Sequence, residues 1–223
     1  REWIANITHD LKSPLSPVKG YAEIMQEEGG SGAEEQYRRY AEIILKNVSY
    51  MEQLLDDLKL TYQLESGTVP LERKRMDLVR FLKETVIDIL NTPEYEERSI
   101  QIQSSREDIF FSFDRTLFRR AFNNLIVNAL IHGGRDAQIT VGAAVFKNEI
   151  QVTVSDNGKG MTAEEADRMF RRYYRGTDTD KKPEGTGLGL AITKNIIESH
   201  GGAAEVHSAP GEGTEISITF KVN

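Results

Sequence analysis

From Ile4 onward apolar residues return every three or four positions, and just past Gly67 that rhythm stops. Ile4, Ile7, Leu11, Leu15, Val18, Tyr21 and Met25 make one stripe. After the glycine-rich "EEGGSGAEE", Tyr37, Ala41, Ile44, Val48, Met51, Leu55, Leu58 and Tyr62 make a second. Such spacing is the seam of a helix in a bundle or coiled coil. Both seams are narrow, so a hairpin of these two helices leaves apolar edges uncovered. The expected remedy is dimerisation into a four-helix bundle. Ser66 and Gly67 end the second helix and Pro70 follows, which makes 1–67 one domain and 68–223 another. Helical patterning is already under way at Trp3, next to Arg1, so the chain reads as a fragment of a longer protein.

The second domain mixes periods. "VPLERKRMD" alternates as a strand does, Leu78 to Leu90 is helical, and "SIQIQS" and "DIFFSF" are short β-like runs. Asp114 caps a helix through "RTLFRRAFNNLIVNALIH". "QITVGAAVF" and "EIQVTVSD" form a hairpin about Lys147 and Asn148, and a polar, glycine-punctuated stretch runs from Gly158 to Gly187. The helix "LGLAITKNIIESH" ends at Gly201 and Gly202, and "AAEVHSA" and "GTEISITFKV" are the closing strands. An α+β sandwich, a sheet covered by helices on one face, accommodates this order.

Charge and composition remove several function classes. A net charge of -7 argues against a broad nucleic-acid surface, and the absence of cysteine excludes disulfides, thiolate metal sites and a cysteine nucleophile. No apolar run approaches a membrane span, so this segment is not expected to contact a membrane.

Three short motifs carry chemistry. In "SDNGKGM" the carboxylate of Asp156 stands at the end of a strand, where it can accept from an exocyclic amine. Gly158 and Gly160 allow close backbone approach there, although a plain hairpin turn reads the same way. In "EGTGLGLAI" Gly185, Gly187 and Gly189 expose N–H groups at a helix N-terminus, an anion site that is neither Rossmann nor Walker in pattern. In "NNLIVNAL" Asn124 and Asn128 lie one turn apart on one helix face, and an amide oxygen suits Mg²⁺ beside phosphates. Alone, either asparagine reads as a hydrogen-bonded core residue.

In this order the motifs resemble the ATP-binding domain shared by histidine kinases, gyrase-type topoisomerases, chaperone ATPases and mismatch-repair ATPases. "NLIVNA" looks like the N box, "DNGKG" and "GTGLGLAI" the two G boxes, and "MFRRYYRG" the F box of the kinases. "HDLKSPL" is similar to the H box around a phosphorylated histidine, so the resemblance to a sensor histidine kinase of two-component systems spans essentially the whole chain. It implies Mg²⁺ held by Asn128, with Asn124 on the phosphate side, and Asp156 on the adenine amine with Gly158 and Gly160 shaping the pocket. It further implies Gly185, Gly187 and Gly189 against the triphosphate, Thr214 supporting the adenine side, and Phe170 packing a lid. Family members often carry a basic residue and an aromatic where Ile131 and His132 stand. A phosphate contact is therefore lost or supplied by Arg171, Arg172 or Arg175. His132, in "HGG", reads first as a helix C-terminus and second as a nucleotide neighbour; His200 repeats that tripeptide, and His207 offers no constellation.

His9 lies two residues from both Ile7 and Leu11, so at ~100° per residue it points off their stripe. The resemblance makes it the phosphoacceptor, with Asp10 as base or ring orienter and Lys12 offsetting phosphate charge. Ser13 stands where a water-orienting residue for dephosphorylation is usual. Pro14 removes the helical partner of the Asp10 carbonyl and frees the helix to bend. The implied function is ATP-dependent autophosphorylation of His9, then transfer to an aspartate of a response-regulator receiver domain, with phosphatase activity towards it as a further expectation. The cofactors are ATP and Mg²⁺, the state a homodimer, and the place the cytoplasm beneath a membrane-anchored parent. The rival readings are a nucleotide-binding pseudokinase scaffold acting through the helical bundle, and a serine kinase or ATPase on the same fold.

Overall fold

The computed structural model describes residues 2–27, 34–171 and 187–222, and of the first helix the side chains of 10–25. Helix α1 (Glu2–Glu27) runs unbroken through Pro14 and Pro17, and α2 (Glu34–Glu65) follows. α2 passes from the first compact unit, Arg1–Leu60, into the second, Thr61–Asn223. Within the first unit the Tyr21 and Tyr40 rings meet at 4.9 Å, which pins α1 to α2.

Most of the expected seam is half-buried, including Leu11, Val18, Tyr21, Tyr37, Ile44, Val48 and Met51, and three of its members are exposed. Leu15 is 51% exposed while its neighbour Pro14 is buried, and on α2 Leu55 and Tyr62 are 53% and 70% exposed. The buried positions of α2 are instead Leu54, Asp57, Thr61 and Leu64. A strict heptad drifts about 20° per repeat on a straight helix, so a stripe counted from its start slips by its end. Asp57 and Thr61 are polar members of the buried stripe at the C-terminal end of α2.

The second unit holds β1 (Arg73–Asp77), α3 (Leu78–Leu90), β2 (Ile100–Ser104), β3 (Phe110–Asp114), α4 (Arg115–His132), β4 (Ile139–Phe146) and β5 (Glu149–Asp156). It continues with α5 (Ala163–Arg168), α6 (Gly189–Ser199), β6 (Gly202–Ala209) and β7 (Gly213–Lys221). β1 and β3 pair as a ribbon; the larger sheet has the order β2-β4-β5-β7-β6, parallel only between β2 and β4. Along β5, Ile150, Val152 and Val154 are buried and alternate with half-exposed residues, so helices cover one face as expected.

Asp77 caps α3 by accepting from the N–H of Val79, and Asp114 caps α4 by accepting from Thr116 and Leu117. Between these helices, β3 and the sheet lies a phenylalanine cluster. Phe113 stacks on Phe118 at 4.5 Å and meets Phe81 edge-on at 5.0 Å, while Phe220 lies 5.5 Å from Phe118. Burying each such ring stabilises the fold by about 1.5–3 kcal/mol. α5 falls within the polar, glycine-punctuated stretch from Gly158 to Gly187. Thr162 and Glu165 form a capping box at its start, a signature present in the letters "TAEE".

Candidate functional site

Strand register assembles the site. Ile139 of β4 pairs with Asp156 of β5, Asp156 with Thr214 of β7, and Thr214 with Ser208 of β6. Directly paired residues project to the same face, and Ile139 is fully buried, so this row lies on the helix-covered side at one end of the sheet. Asp156 accepts a hydrogen bond from the Gly158 N–H at 2.9 Å and another from the Thr214 backbone. Burial pushes its carboxyl above the ordinary carboxylate value, while those two N–H donors and nearby His132 pull it down. A half-buried acceptor beside two backbone donors can take the edge of a polar heterocycle.

The turn after Asp156 is interlocked with its surroundings. A side chain at Gly158 would strike the Gly133 backbone, and Gly160 has φ 64° and abuts the Ala209 carbonyl. Asn157 also binds across to the strand entry, its Oδ1 accepting from the Gln138 N–H at 2.7 Å. A cleft of about 870 Å³ opens beside Asp156, Ser208 and Thr214, walled by Ala163, Ala166 and Phe170. It reaches only this end of the site; Asn124, Asn128 and Gly189 are not in its lining.

On α4 the two asparagines do different things. Asn124 donates from Nδ2 to the Gly189 carbonyl at 3.0 Å and so ties α4 to the first turn of α6. A Cβ on Gly189 would lie 3.3 Å from the Asn124 amide, which would have to give by a few tenths of an ångström, so the approach is close. α6 begins at Leu188 with no side-chain cap, the arrangement in which a helix N-terminus takes an anion. Asn128 is half-buried, and among the described residues its carboxamide makes no hydrogen bond. An amide oxygen with no partner among the described residues fits one coordination place of a Mg²⁺ that keeps its other ligands from water and phosphate. No group of three His, Asp or Glu able to hold a metal exists among the described residues.

The remaining expected residues are placed as follows. Thr214 stands in the row beside Asp156, and Gly187 lies just ahead of α6 with φ 66°. Gly185, Arg172 and Arg175 lie outside the described residues, as does the His9 side chain, although His9 itself falls within α1. Asp10 is half-buried, and Lys12 and Ser13 are exposed on the same helix. Arg171 is engaged by Asp167 of α5 at 3.0 Å. Ile131 is 43% exposed, and His132 is held below its ordinary value of 6.5 by the atoms crowding it and by Lys159, against a raising influence of Asp156. His207 is exposed, with Nε2 4.0 Å from Glu205.

Two contributors escaped the reading by motif. Gly133 lets the end of α4 meet the Asp156 turn, and it sits in "HGG", which marks a helix end and nothing more. Ser208 is paired with Thr214 through strand register, which no local pattern discloses.

Two family models match the chain. Residues 1–67 match the His Kinase A (phospho-acceptor) domain, and 113–223 match the histidine kinase-, DNA gyrase B- and HSP90-like ATPase. The chain is similar to the sensor histidine kinase YvrG of Bacillus subtilis, 40% identical over 220 residues, which is 99% of this chain and 38% of that protein. The fold is that of the histidine kinase AdeS of Acinetobacter baumannii, with TM-score 0.76 at 17% identity over 96% of this chain and 98% of that one. It is also that of the histidine kinase ThkA solved in complex with the response regulator TrrA, with TM-score 0.74 at 19% identity over 100% of this chain and 61% of the other. The chain spans between about a quarter and a half of the length of the relatives it matches.

Proposed function

The chain belongs to the sensor histidine kinases, and on that premise we propose that it moves the γ-phosphoryl group of Mg·ATP to His9 and thence to an aspartate of a response-regulator receiver domain. One observation carries the nucleotide half of this reading. Asp156, a carboxylate at the end of a central strand and held by two backbone N–H groups, shares a row with Thr214 at the head of a cleft. In it the adenine amine donates to Asp156, and the triphosphate runs toward the α4–α6 junction, where Asn124 fixes the Gly189 turn. Bound through the Asn128 oxygen, Mg²⁺ supplies charge neutralisation on the phosphates.

Transfer forms a bond from His9 Nε2 to the γ-phosphorus and breaks the bond to the oxygen bridging to the β-phosphorus, releasing ADP. Asp10 takes or holds the Nδ1 proton so that Nε2 carries its lone pair, and Lys12 offsets the charge of the phosphorylated ring. Most of the acceleration in such a transfer is positioning, with little covalent chemistry for the protein to perform. The division of labour follows the sequence reading: 1–67 holds the acceptor and, through exposed Leu15, Leu45 and Leu55, the dimer contact, while 68–223 binds nucleotide. Ser13 is the residue for dephosphorylating the receiver. The parent protein is anchored to a membrane elsewhere, and this segment works in the cytoplasm; no helix among the described residues is long and apolar enough to cross a membrane.

Incubation with γ-labelled ATP and Mg²⁺ is expected to give an acid-labile, base-stable phosphoprotein. His9→Gln is expected to abolish the label, and Asn128→Ala and Asp156→Ala to do so while the fold is kept. Label that survives in His9→Gln sinks the acceptor assignment. Nucleotide binding with no label at all would favour a scaffold.

A further inference from the structure

Ser208 is occupied on every side. Its Oγ lies 2.8 Å from the Gly213 carbonyl, 2.8 Å from the Met161 N–H and 3.0 Å from Thr214 Oγ1. A carbonyl only accepts and an amide N–H only donates, so two of these three contacts have a fixed direction. Ser208 has one proton, which goes to Gly213. Its lone pairs are then filled by the Met161 N–H and by the Thr214 hydroxyl proton. The arithmetic leaves Thr214 with lone pairs only toward the cleft that both residues line with Asp156. Asp156, next in the same row, is an acceptor as well.

We infer that Ser208 is a specificity-determining positioning residue: by taking the Thr214 hydroxyl proton it leaves the Asp156 and Thr214 side chains presenting acceptors only, which selects a purine bearing an exocyclic amine over one bearing a carbonyl. Adenine presents N–H donors at its 6-position, whereas guanine presents an oxygen that finds no donor there. A pocket polar group left facing a like group discriminates strongly, because neither can be satisfied once water is excluded. Met161 belongs to the turn that follows Gly160, so the same hydroxyl also clamps that turn to the β6–β7 hairpin. This inference rests on the nucleotide-binding reading above.

The test measures dissociation constants of the Mg²⁺ complexes of the β,γ-imido analogues of ATP and GTP by calorimetry on the 223-residue chain. Wild type is expected to prefer the ATP analogue. In Ser208→Ala the Thr214 proton is free to serve a carbonyl, and the preference is expected to fall about tenfold. Ser208→Thr keeps the hydroxyl and is expected to restore it. On a Thr214→Val background, Ser208→Ala is expected to move the ratio no further. A purely structural role weakens both nucleotides alike, so an unchanged ratio in Ser208→Ala overturns the inference. Should that variant not fold, Thr214→Ser, which still has a hydroxyl proton to give to Ser208, is expected to keep the preference, and its loss there overturns the inference equally. Wild type that binds neither analogue defeats the nucleotide reading itself.

Discussion

The tripeptide His-Gly-Gly closes both α4 and α6, two helices packed side by side, and it does opposite things in the two places. His200 is 5% exposed; its Nδ1 donates to the Ile196 carbonyl at 2.8 Å, its Nε2 accepts from the Asp114 N–H at 3.1 Å, and its ring meets Phe118 edge-on. His132 is exposed and faces the Asp156 turn. The glycines diverge too. Gly133 keeps a helical φ of -65°, so the chain carries on beneath Asp156, while Gly201 takes φ 78° and turns sharply into β6. One ring thus became a brace between the α4 cap and the end of α6, the other a rim of the site. A helix-ending motif fixes where the helix stops, and the packing partners decide what the stop is used for.

The comparison breaks most visibly in stability. His200→Ala removes two hydrogen bonds and a buried ring, and is expected to cost about 2–4 kcal/mol in urea unfolding. His132→Ala is expected to stay within about 0.5 kcal/mol. Equal losses in the two would show that the brace does not exist.

The glycines sharpen it next. A Cβ on Gly133 would come within 2.7 Å of the Ala129 carbonyl and 3.1 Å of the Asp156 Cβ, whereas one on Gly201 meets nothing within 4 Å. Gly133→Ala is expected to cost about 1–3 kcal/mol by crowding and to weaken ATP binding. Gly201→Ala is expected to cost about 1–2 kcal/mol through its left-handed φ alone and leave ATP affinity intact. An ATP titration of both variants decides this.

The smallest effect is read in acid. Burial holds His200 below the ordinary 6.5, so between its folded value and 6.5 the unfolded chain binds more protons than the native one. Its contribution to stability is therefore whole above 6.5 and drains away as pH falls below it; His132, also lowered, acts with the same sign. The acid-side fall in unfolding free energy is expected to shrink in His200→Ala, and further when His132 is replaced as well. A profile that His200→Ala leaves unchanged would contradict the neutral, doubly bonded ring.

Much of this was legible in the letters. Asp114 as a cap, the alternation of Ile150, Val152 and Val154, and the asparagine pair of α4 each announce themselves through a local period or side-chain chemistry. What was not legible depends on partners distant in sequence. Leu54, Asp57, Thr61 and Leu64 form the buried stripe of α2 in place of Leu55 and Tyr62, and polar members disguise such a stripe. Ser208 becomes informative only when β7 sets Thr214 beside it, and "HGG" is identical at its two sites. α5 is the exception, since the capping box of Thr162 and Glu165 is a local signature set amid glycines and charges.

β7 lies between β5 and β6 although it follows both in the chain. On the ribosome, therefore, a chain that has emerged only as far as residue 212 holds two strands, each missing its neighbour, and Asp156 stands without Thr214. Contacts of such long sequence separation form late, and exposed strand edges are where nascent chains stick to one another. The row of Asp156 and Thr214 is thus among the last features of this unit to form: a product truncated before residue 213 lacks it, whatever the integrity of α1.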